Sequence, residues 1–262
     1  MTDTPKLLFE RDGAIARIVL NRPDAGNAVD LELGRAFLDA AIECDEDDRI
    51  RCVVLAANGR MFCVGGDISA FAGAGDRVGV LLKQLTGLAH SAIARLARMN
   101  KPLLTVVNGP AAGIGLGLAV LGDIVLAARS AHFTAAYTAI GVTPDGGITW
   151  MLPRLIGVRR AQEMLLLNKR VGAEEATAIG LITRAVDDDA LADEAAKLAQ
   201  TLARSATSAL ARTRNLLLDG LEAGFEGQME AESRSIAAAG GSAEGREGIR
   251  AFLEKRRPNF QQ

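Results

Sequence analysis

Short apolar runs alternate with helical segments along much of the chain, and this alternation restricts the fold more strongly than any other feature. The clearest runs lie in RCVVLAANG (51–59), KPLLTVVNG (101–109) and DIVLAARSAHF (123–133). A strand that is apolar on both faces needs cover on both sides, as in parallel sheets flanked by helices. The recurring strand-strand-helix unit therefore predicts an α/β fold with a coiled, repeating sheet.

A hairpin and a capped helix precede the first of these buried strands. LLFERDG and AIARIVLNRP alternate in polarity, which predicts two strands with a turn at Asp12-Gly13. Asp30 is placed to cap a helix that runs through about Glu46. The spacing of its large apolar residues predicts that one face carries Leu31, Leu38 and Ile42.

The composition is that of a globular protein. The chain has 262 residues, of which 49 % are hydrophobic and 24 % charged, enough for a full-sized core. Its 30 basic and 32 acidic residues leave a net charge of −2, which argues against nucleic acid or an anionic membrane as a partner. No stretch reaches the about 18 apolar residues of a membrane span, and MTDTPKLLFERDG lacks a secretory pattern. We therefore expect a cytoplasmic protein.

The cysteines and histidines do not suggest a metal centre. Cys44, Cys52 and Cys63 are odd in number and have no CxxC spacing, so neither a disulfide framework nor a zinc site is predicted. The chain has two histidines and no carboxylate cluster at ligand spacing. We expect reduced thiols and no bound metal.

The chain changes character towards its C-terminus. Nearly everything after Asp188 has helical periodicity, and successive helices without strands must bury their apolar faces on each other, on the core or on another subunit. We place a soft boundary near Ser205, which gives a core of residues 1–204 and a helical appendage of residues 205–262.

Two glycine-rich segments are the strongest candidates for a functional site. MFCVGGDI (61–68) follows one buried strand, and NGPAAGIGLG (108–117) runs from another strand into a helix. Glycines allow a ligand to approach the backbone, and a helix start presents free N–H groups. Two such N–H groups from separate segments can bind one carbonyl oxygen, as a thioester enolate requires. The alternative is that these glycines only form turns and close helix contacts.

The pair of segments resembles the oxyanion-hole segments of the crotonase (enoyl-CoA hydratase/isomerase) superfamily. The similarity continues through ARSAHF, IGVTPDGGITWMLPRLIG and VGAEEATAIGLITRAV to EGIRAFLEKRRPNF, and so covers nearly the whole chain. It implies that Gly66 and Ile114 donate their backbone N–H groups. It also implies a spiral of strand-strand-helix turns, a helical C-terminal part that builds trimers or hexamers, and coenzyme A as part of the substrate rather than a bound cofactor.

The carboxylates of the resembling families differ from those of this chain. Hydratases of the superfamily carry two glutamates, at positions that here are Gly117 and Tyr137, so the usual means of activating water is missing. Asp145 remains, in TPDGG (143–147). Its local sequence alone favours a helix cap. However, PDGG followed by ITWMLPRLIG resembles 1,2-epoxyphenylacetyl-CoA isomerases, whose single catalytic aspartate matches Asp145.

His90 is a second candidate with two interpretations. A histidine on a mostly apolar helix is more often packed or solvent-exposed than catalytic. However, 4-chlorobenzoyl-CoA dehalogenases look similar in this stretch and place a histidine and a nucleophilic aspartate at positions that match His90 and Asp145. Their tryptophan beside the site corresponds to Tyr137, a departure that disfavours dehalogenation.

The resemblance also supplies candidate contacts for the coenzyme A portion of the substrate. NRP (21–23) to Asn27-Ala28 is similar to a loop that lines the pantetheine and nucleotide, and the C-terminus approaches the phosphates of a neighbouring subunit's ligand. The predicted contacts are Arg22, Asn27, Ala28, Asp67, Ile68, Phe252 and Lys255. The basic residues at the C-terminus, Lys255, Arg256 and Arg257, are also explained as solvated surface charge.

Together these features predict an acyl-CoA isomerase of fatty or aromatic acid catabolism, in which Gly66 and Ile114 hold the enolate oxygen and Asp145 moves the proton. The alternatives are an enoyl-CoA hydratase, a dehalogenase-like hydrolytic enzyme that uses Asp145 and His90, and a catalytically silent paralogue that only binds coenzyme A.

Overall fold

A mostly parallel sheet lies at the centre of the molecule. The computed structural model describes residues 4–261. Its strands are β1 (Leu7–Asp12), β2 (Ile15–Leu20), β3 (Cys52–Ala57), β4 (Leu103–Val107), β5 (Ala111–Ala112), β6 (Ile124–Ala128), β7 (His132–Thr134), β8 (Val171–Gly172) and β9 (Arg184–Val186). The main sheet has the order β1-β2-β3-β4-β6-β9, and a small second sheet has the order β5-β7-β8.

Helices surround both sheets and form the C-terminal part of the chain. They are α1 (Leu31–Glu46), α2 (Ile68–Gly73), α3 (Val78–Arg98), α4 (Ile114–Ala119), α5 (Ile148–Ile156), α6 (Val158–Leu167), α7 (Ala173–Ala178), α8 (Leu191–Arg204), α9 (Thr207–Gly220), α10 (Phe225–Gly240) and α11 (Ala243–Leu253).

The strand pairing confirms the predicted α/β architecture. The hairpin of β1 and β2 is antiparallel, whereas β2, β3, β4, β6 and β9 follow one another as parallel neighbours. The apolar runs lie in this parallel part, where all residues of β4 are buried. Because parallel strands need crossover connections, α1, α3 and α4 each carry the chain from one strand to the next. The carboxyl ends of β3 and β4 lead directly into the two glycine-rich segments.

Helix α1 begins where the sequence predicts, but its buried face is different. The Asp30 side chain caps the helix by accepting a hydrogen bond from the N–H of Leu33. The predicted face is wrong, since Leu31 and Ile42 are exposed and Leu38 is only half-buried. The buried residues are Leu33, Gly34, Phe37, Ala40, Ala41 and Cys44. Small residues form much of this face because α1 packs closely on α3: a Cβ added at Gly34 would lie 3.4 Å from Leu85.

The C-terminal helices are anchored to the core by one buried arginine. Arg214 of α9 donates hydrogen bonds to the carbonyls of Leu96, Met99 and Lys101, and its Nε lies 2.6 Å from Oδ1 of Asp123. Helix α9 therefore fixes the end of α3 and the start of β4. Helices α9, α10 and α11 expose large apolar side chains, each at least 71 % exposed: Leu217, Phe225, Ile236, Phe252 and Leu253.

Candidate active site

The two glycine-rich segments lie side by side at the carboxyl ends of β3 and β4. An isolated parallel bridge joins Cys63 to Ala111, and the Ala112 N–H donates to the Cys63 carbonyl at 2.8 Å. Further along, a Cβ added at Gly113 would lie 3.2 Å from Cα of Gly65. Gly113 also has a positive φ of 56°, which a residue with a side chain rarely adopts. Glycine is therefore required where the segments approach each other.

Gly66 presents a backbone N–H that is not used inside the fold. Two hydrogen bonds form the β-bridge between Val29 and Gly66. The Val29 N–H donates to the Gly65 carbonyl at 2.8 Å, and the Asp67 N–H donates to the Val29 carbonyl at 3.0 Å. The N–H of Gly66 itself has no protein acceptor within residues 4–261. A Cβ at this position would lie 2.4 Å from the ring of Phe71, so the segment has no room for a side chain.

Ile114 presents a second free N–H at the start of α4. The preceding N–H, of Gly113, donates to the carbonyls of Thr134 and Ala135, whereas no acceptor among the described residues pairs with the N–H of Ile114. The first N–H groups of a helix have no partner inside the helix. The donors of Gly66 and Ile114 thus come from adjacent segments, as the sequence predicts for an oxyanion hole.

Asp145 lies between Tyr137 and His90. The Tyr137 hydroxyl donates to Oδ1 of Asp145 at 2.5 Å, and Nε2 of His90 lies 3.3 Å from Oδ2. The Asp145 side chain is 26 % exposed, so a substrate can reach it. Helix α5 begins at Ile148 with Gly147 as its N-cap and without a side-chain cap. The capping interpretation of Asp145 is therefore wrong.

Two contacts of Nε2 of His90 compete beside Asp145. The Gly146 N–H lies 3.0 Å from Nε2, and Oδ2 of Asp145 lies 3.3 Å from it. Nε2 either accepts the Gly146 N–H, with the ring proton on Nδ1, or donates its own proton to Oδ2. The shorter distance to Gly146 favours the first arrangement, in which Nε2 has no proton to donate to Asp145.

Neither hydratase glutamate position offers a carboxylate to the site. A Cβ at Gly117 would lie 2.8 Å from the Gly146 carbonyl oxygen and 3.1 Å from Ile148, so no side chain fits there without moving the backbone. The other position holds Tyr137, which is 9 % exposed. Burial, followed by the nearby charge of Asp145, raises the pKa of the Tyr137 hydroxyl. The phenol thus keeps its proton and remains a donor.

Arg22, Asn27 and Asp67 form a buried network beside the first glycine segment. Arg22 donates to the Ala28 carbonyl and to Oδ2 of Asp67. Asn27 is fully buried and bonds to the backbone of Arg22, Asn58 and Met61. Asp67 caps α2, and hydrogen bonds led by that of Ser69, with those of Arg22 and Ala70, lower its pKa to about 2. These side chains shape the loop, which leaves its backbone as the surface offered to a ligand.

The remaining predicted coenzyme A contacts divide into two groups. Ala28 is buried within the Arg22 network, while Ile68 is exposed at the start of α2, beside Gly66. Phe252 and Lys255 lie at the end of α11, both exposed. Helix α11 packs on α10. The first group thus adjoins the oxyanion segments, whereas Phe252 and Lys255 stay candidates for a neighbouring subunit's ligand.

The other titratable groups form no second centre in the described part of the chain. Cys44, Cys52 and Cys63 are free and buried, and burial raises the pKa of each thiol to about 12. No group of three or more His, Cys, Asp or Glu residues is arranged to hold a metal ion within residues 4–261. Over the same residues, no helix has the length and apolar character needed to cross a bilayer.

The contact of Tyr137 with Asp145 could not be derived from the sequence. The two residues are eight positions apart in a stretch with little regular structure, and only the turn at 138–140 brings them together. The one available signal was that Tyr137 occupies a position where related enzymes carry a polar or aromatic site residue. A comparison by residue type shows that this position lacks a carboxylate, but it does not show that the Tyr137 hydroxyl bonds to Asp145.

Comparisons with known proteins agree with this fold. The family model described as enoyl-CoA hydratase/isomerase matches residues 10–262. The 1,2-epoxyphenylacetyl-CoA isomerase of Escherichia coli K12 is 36 % identical over 258 residues, 97 % of each chain. A Rhodobacter capsulatus protein designated an enoyl-CoA hydratase is 38 % identical over 252 residues, 96 % of each chain. A crystal structure of an enoyl-CoA hydratase/isomerase from Mycobacterium abscessus superposes with a TM-score of 0.93 at 32 % identity, covering 97 % of this chain and 98 % of that one.

The fold and the paired glycine segments define an enzyme of the crotonase type. The chain belongs to the enoyl-CoA hydratase/isomerase family. Relatives with an isomerase name and with a hydratase name are similarly close to it. The choice between the two reactions therefore depends on the residues of the site.

Proposed function

We propose that this enzyme isomerises an enoyl- or aryl-acetyl-CoA thioester by proton transfer through Asp145. Asp145 removes a proton from one carbon and returns it at another, while the N–H groups of Gly66 and Ile114 bind the enolate oxygen. The observation that carries this proposal is the position of Asp145, a partly exposed carboxylate whose Oδ1 is held by Tyr137 and whose Oδ2 has only Nε2 of His90, at 3.3 Å, as a polar neighbour among the described residues. The isomerase name of the Escherichia coli relative supports it.

Hydration is disfavoured because neither hydratase glutamate position carries a carboxylate. Adding water across a double bond needs one group to activate the water and a proton for the neighbouring carbon. Gly117 cannot carry a side chain without a shift of the Gly146 backbone, and Tyr137 remains protonated. A single carboxylate is sufficient for an isomerase, because the same group accepts and returns the proton.

A hydrolytic reaction is the second candidate, and the proximity of His90 to Asp145 favours it. In that mechanism the Asp145 carboxylate displaces chloride from the acyl portion of a chloroaryl-CoA substrate, and His90 activates water, which releases the acyl portion from Asp145. His90 would need a free lone pair on Nε2 to accept a proton from water. The Gly146 N–H occupies that lone pair, so the geometry favours isomerisation.

The C-terminal residues complete our proposal for the bound substrate. We infer a homotrimer or a hexamer in which Phe252 and Lys255 contact the coenzyme A of a neighbouring subunit. Their exposure at the end of α11 and the apolar side chains on α9, α10 and α11 support this arrangement.

The reaction is tested with a panel of enoyl-CoA and aryl-acetyl-CoA thioesters in heavy water. An isomerase incorporates deuterium at carbon and yields a product of unchanged oxidation level with no added water. Mass spectrometry separates this product from a hydrated one, which is heavier by one water. A hydroxyacyl-CoA as the main product would contradict isomerisation. Coenzyme A affinity without any deuterium incorporation would instead indicate a silent paralogue.

A further inference from the structure

The two oxygens of Asp145 have different surroundings. Oδ1 accepts the hydroxyl of Tyr137 at 2.5 Å, whereas Oδ2 lies 3.3 Å from Nε2 of His90. The single proton of the Tyr137 hydroxyl is committed to Oδ1, since the backbone carbonyl of Asp145 lies farther away, at 3.5 Å. A carboxylate held in this way cannot exchange its oxygens by rotating without breaking the short bond to Tyr137.

We infer that Tyr137 is a positioning residue that holds Oδ1 of Asp145 and leaves Oδ2 as the only oxygen that acts as a base. This inference rests on the proposed function, because it assigns a role within proton transfer by Asp145. A hydrogen bond to a charged acceptor is about twice as strong as one between neutral groups, so the Tyr137 hydroxyl keeps Oδ1 occupied. Only Oδ2 of Asp145 is therefore available to accept a proton from the substrate.

The proton balance of the reaction then follows from one oxygen. A C–H bond of the substrate breaks and an O–H bond forms at Oδ2, while the electron pair moves to the thioester oxygen between Gly66 and Ile114. The same O–H bond breaks when the proton returns to another carbon. Because the bond to Tyr137 prevents the carboxyl group from rotating, the O–H bond at Oδ2 stays directed at the bound substrate. Part of the substrate's own hydrogen is therefore retained in the product.

The test compares Tyr137→Phe with the wild-type enzyme on a substrate deuterated at the carbon that loses its proton. We expect kcat to fall about ten- to hundredfold, the usual range for a hydrogen bond to a charged group, with KM changed less than about twofold. The fraction of deuterium retained in the product should fall as well. Ser91→Ala is the matched control, because it removes a hydroxyl next to His90 that bonds only to the Gly87 carbonyl.

A second measurement does not depend on the folding of Tyr137→Phe. Tyr137 is the single tyrosine of the chain, so ¹³Cζ-labelled tyrosine gives one resonance that reports its ionisation. The nearby titratable groups are Asp145 and His90, together with Cys63, whose thiol is kept neutral by burial. In the wild-type enzyme the signal should stay unchanged beyond pH about 10, the pKa of free tyrosine. In Asp145→Asn it should titrate at a lower pH than in the wild-type enzyme.

The outcomes separate the inference from the function on which it rests. Unchanged kcat and unchanged deuterium retention in Tyr137→Phe, with exchange abolished in Asp145→Asn, would overturn the role of Tyr137 alone. A tyrosine ¹³Cζ chemical shift at neutral pH that is identical in the wild-type enzyme and Asp145→Asn would do the same, because the phenol would then have no bond to the carboxylate. Full exchange activity in Asp145→Asn would overturn the proposed function and this inference together.

Discussion

Two aspartates lie near the glycine segments, and their surroundings give them different roles. Asp67 bonds to Arg22 and to the first turn of α2, which lowers its pKa to about 2 and leaves little basicity. Asp145 has no arginine or backbone donor on Oδ2 in the described structure, where the neighbouring polar atom is Nε2 of His90. A base must be able to accept a proton, so only Asp145 suits proton transfer.

His90 provides the prediction that separates isomerisation from hydrolysis. In His90→Gln the side-chain oxygen can still accept the Gly146 N–H, so the loop that carries Asp145 is retained. We expect isomerisation to stay within a few-fold of wild type, measured by deuterium exchange of a thioester substrate. If the enzyme is hydrolytic, the variant instead stalls with an acyl group on Asp145 that mass spectrometry detects. A hundredfold loss of isomerisation in a folded variant would show that His90 takes part.

At the residue scale, the resemblance of the glycine segments and of PDGG to known enzymes predicts Gly66, Ile114 and Asp145 as site residues, but not their partners. The contact of Asp145 with Tyr137, and that of the Gly146 N–H with His90, depend on how the segment 135–147 folds on itself and against α3. Local propensity carries no information on such long-range geometry.

At the scale of elements, the glycine segments place two donors without using side chains. A side chain at Gly66 would meet Phe71, and one at Gly117 would meet the Gly146 carbonyl. The site is therefore built by close backbone approach between the carboxyl ends of β3 and β4 and the loop before α5. Such an arrangement costs no reorganisation when charge develops on the substrate oxygen.

Two substitutions at Gly66 isolate the contribution of its N–H. Gly66→Ala keeps the N–H but adds the Cβ that meets Phe71, whereas Gly66→Pro adds similar bulk and removes the N–H. The kcat of the proline variant should be about 10²- to 10³-fold below that of the alanine variant, the usual worth of one oxyanion donor. Circular dichroism and coenzyme A binding serve as controls for folding. Equal kcat values in two folded variants would exclude Gly66 as the donor.

The strands could be predicted from the sequence better than the helix faces. Continuous apolar runs located β3 and β4 because a strand buried on both faces leaves a clear pattern. The buried face of α1 was predicted wrongly because Gly34, Ala40 and Ala41 pack closely on α3 and its neighbours. The spacing of large apolar residues does not reveal such a face, because close helix packing selects small residues.

At the scale of the whole molecule, the C-terminal helices stabilise the core through Arg214. Deleting residues 205–262 removes this arginine and leaves the carbonyls of Leu96, Met99 and Lys101 without their donor. Unpaired buried groups cost about 1–3 kcal/mol each, so the truncated chain should be insoluble or unfolded. A shorter C-terminal truncation, which removes only the residues after Leu253, keeps Arg214 and should remain folded. A soluble, cooperative core of residues 1–204 would contradict this account.

The exposed apolar side chains of α9, α10 and α11 predict an assembly. Patches of this kind are rarely left open to water in a monomer. Sedimentation equilibrium at micromolar concentration should give the mass of a trimer or a hexamer. A clean monomer of 27.5 kDa would contradict the proposed assembly and the role of Phe252 and Lys255 at a neighbouring site.

Deuterium exchange in Asp145→Asn tests the central claim most directly. Asparagine keeps the shape of the side chain and an oxygen that accepts the Tyr137 hydroxyl, but it is not a base. Turnover should therefore fall about 10²- to 10⁴-fold, the usual contribution of a positioned general base, while thermal stability and coenzyme A affinity stay near those of wild type. Exchange of substrate deuterium by a folded Asp145→Asn enzyme at the wild-type rate would contradict the mechanism.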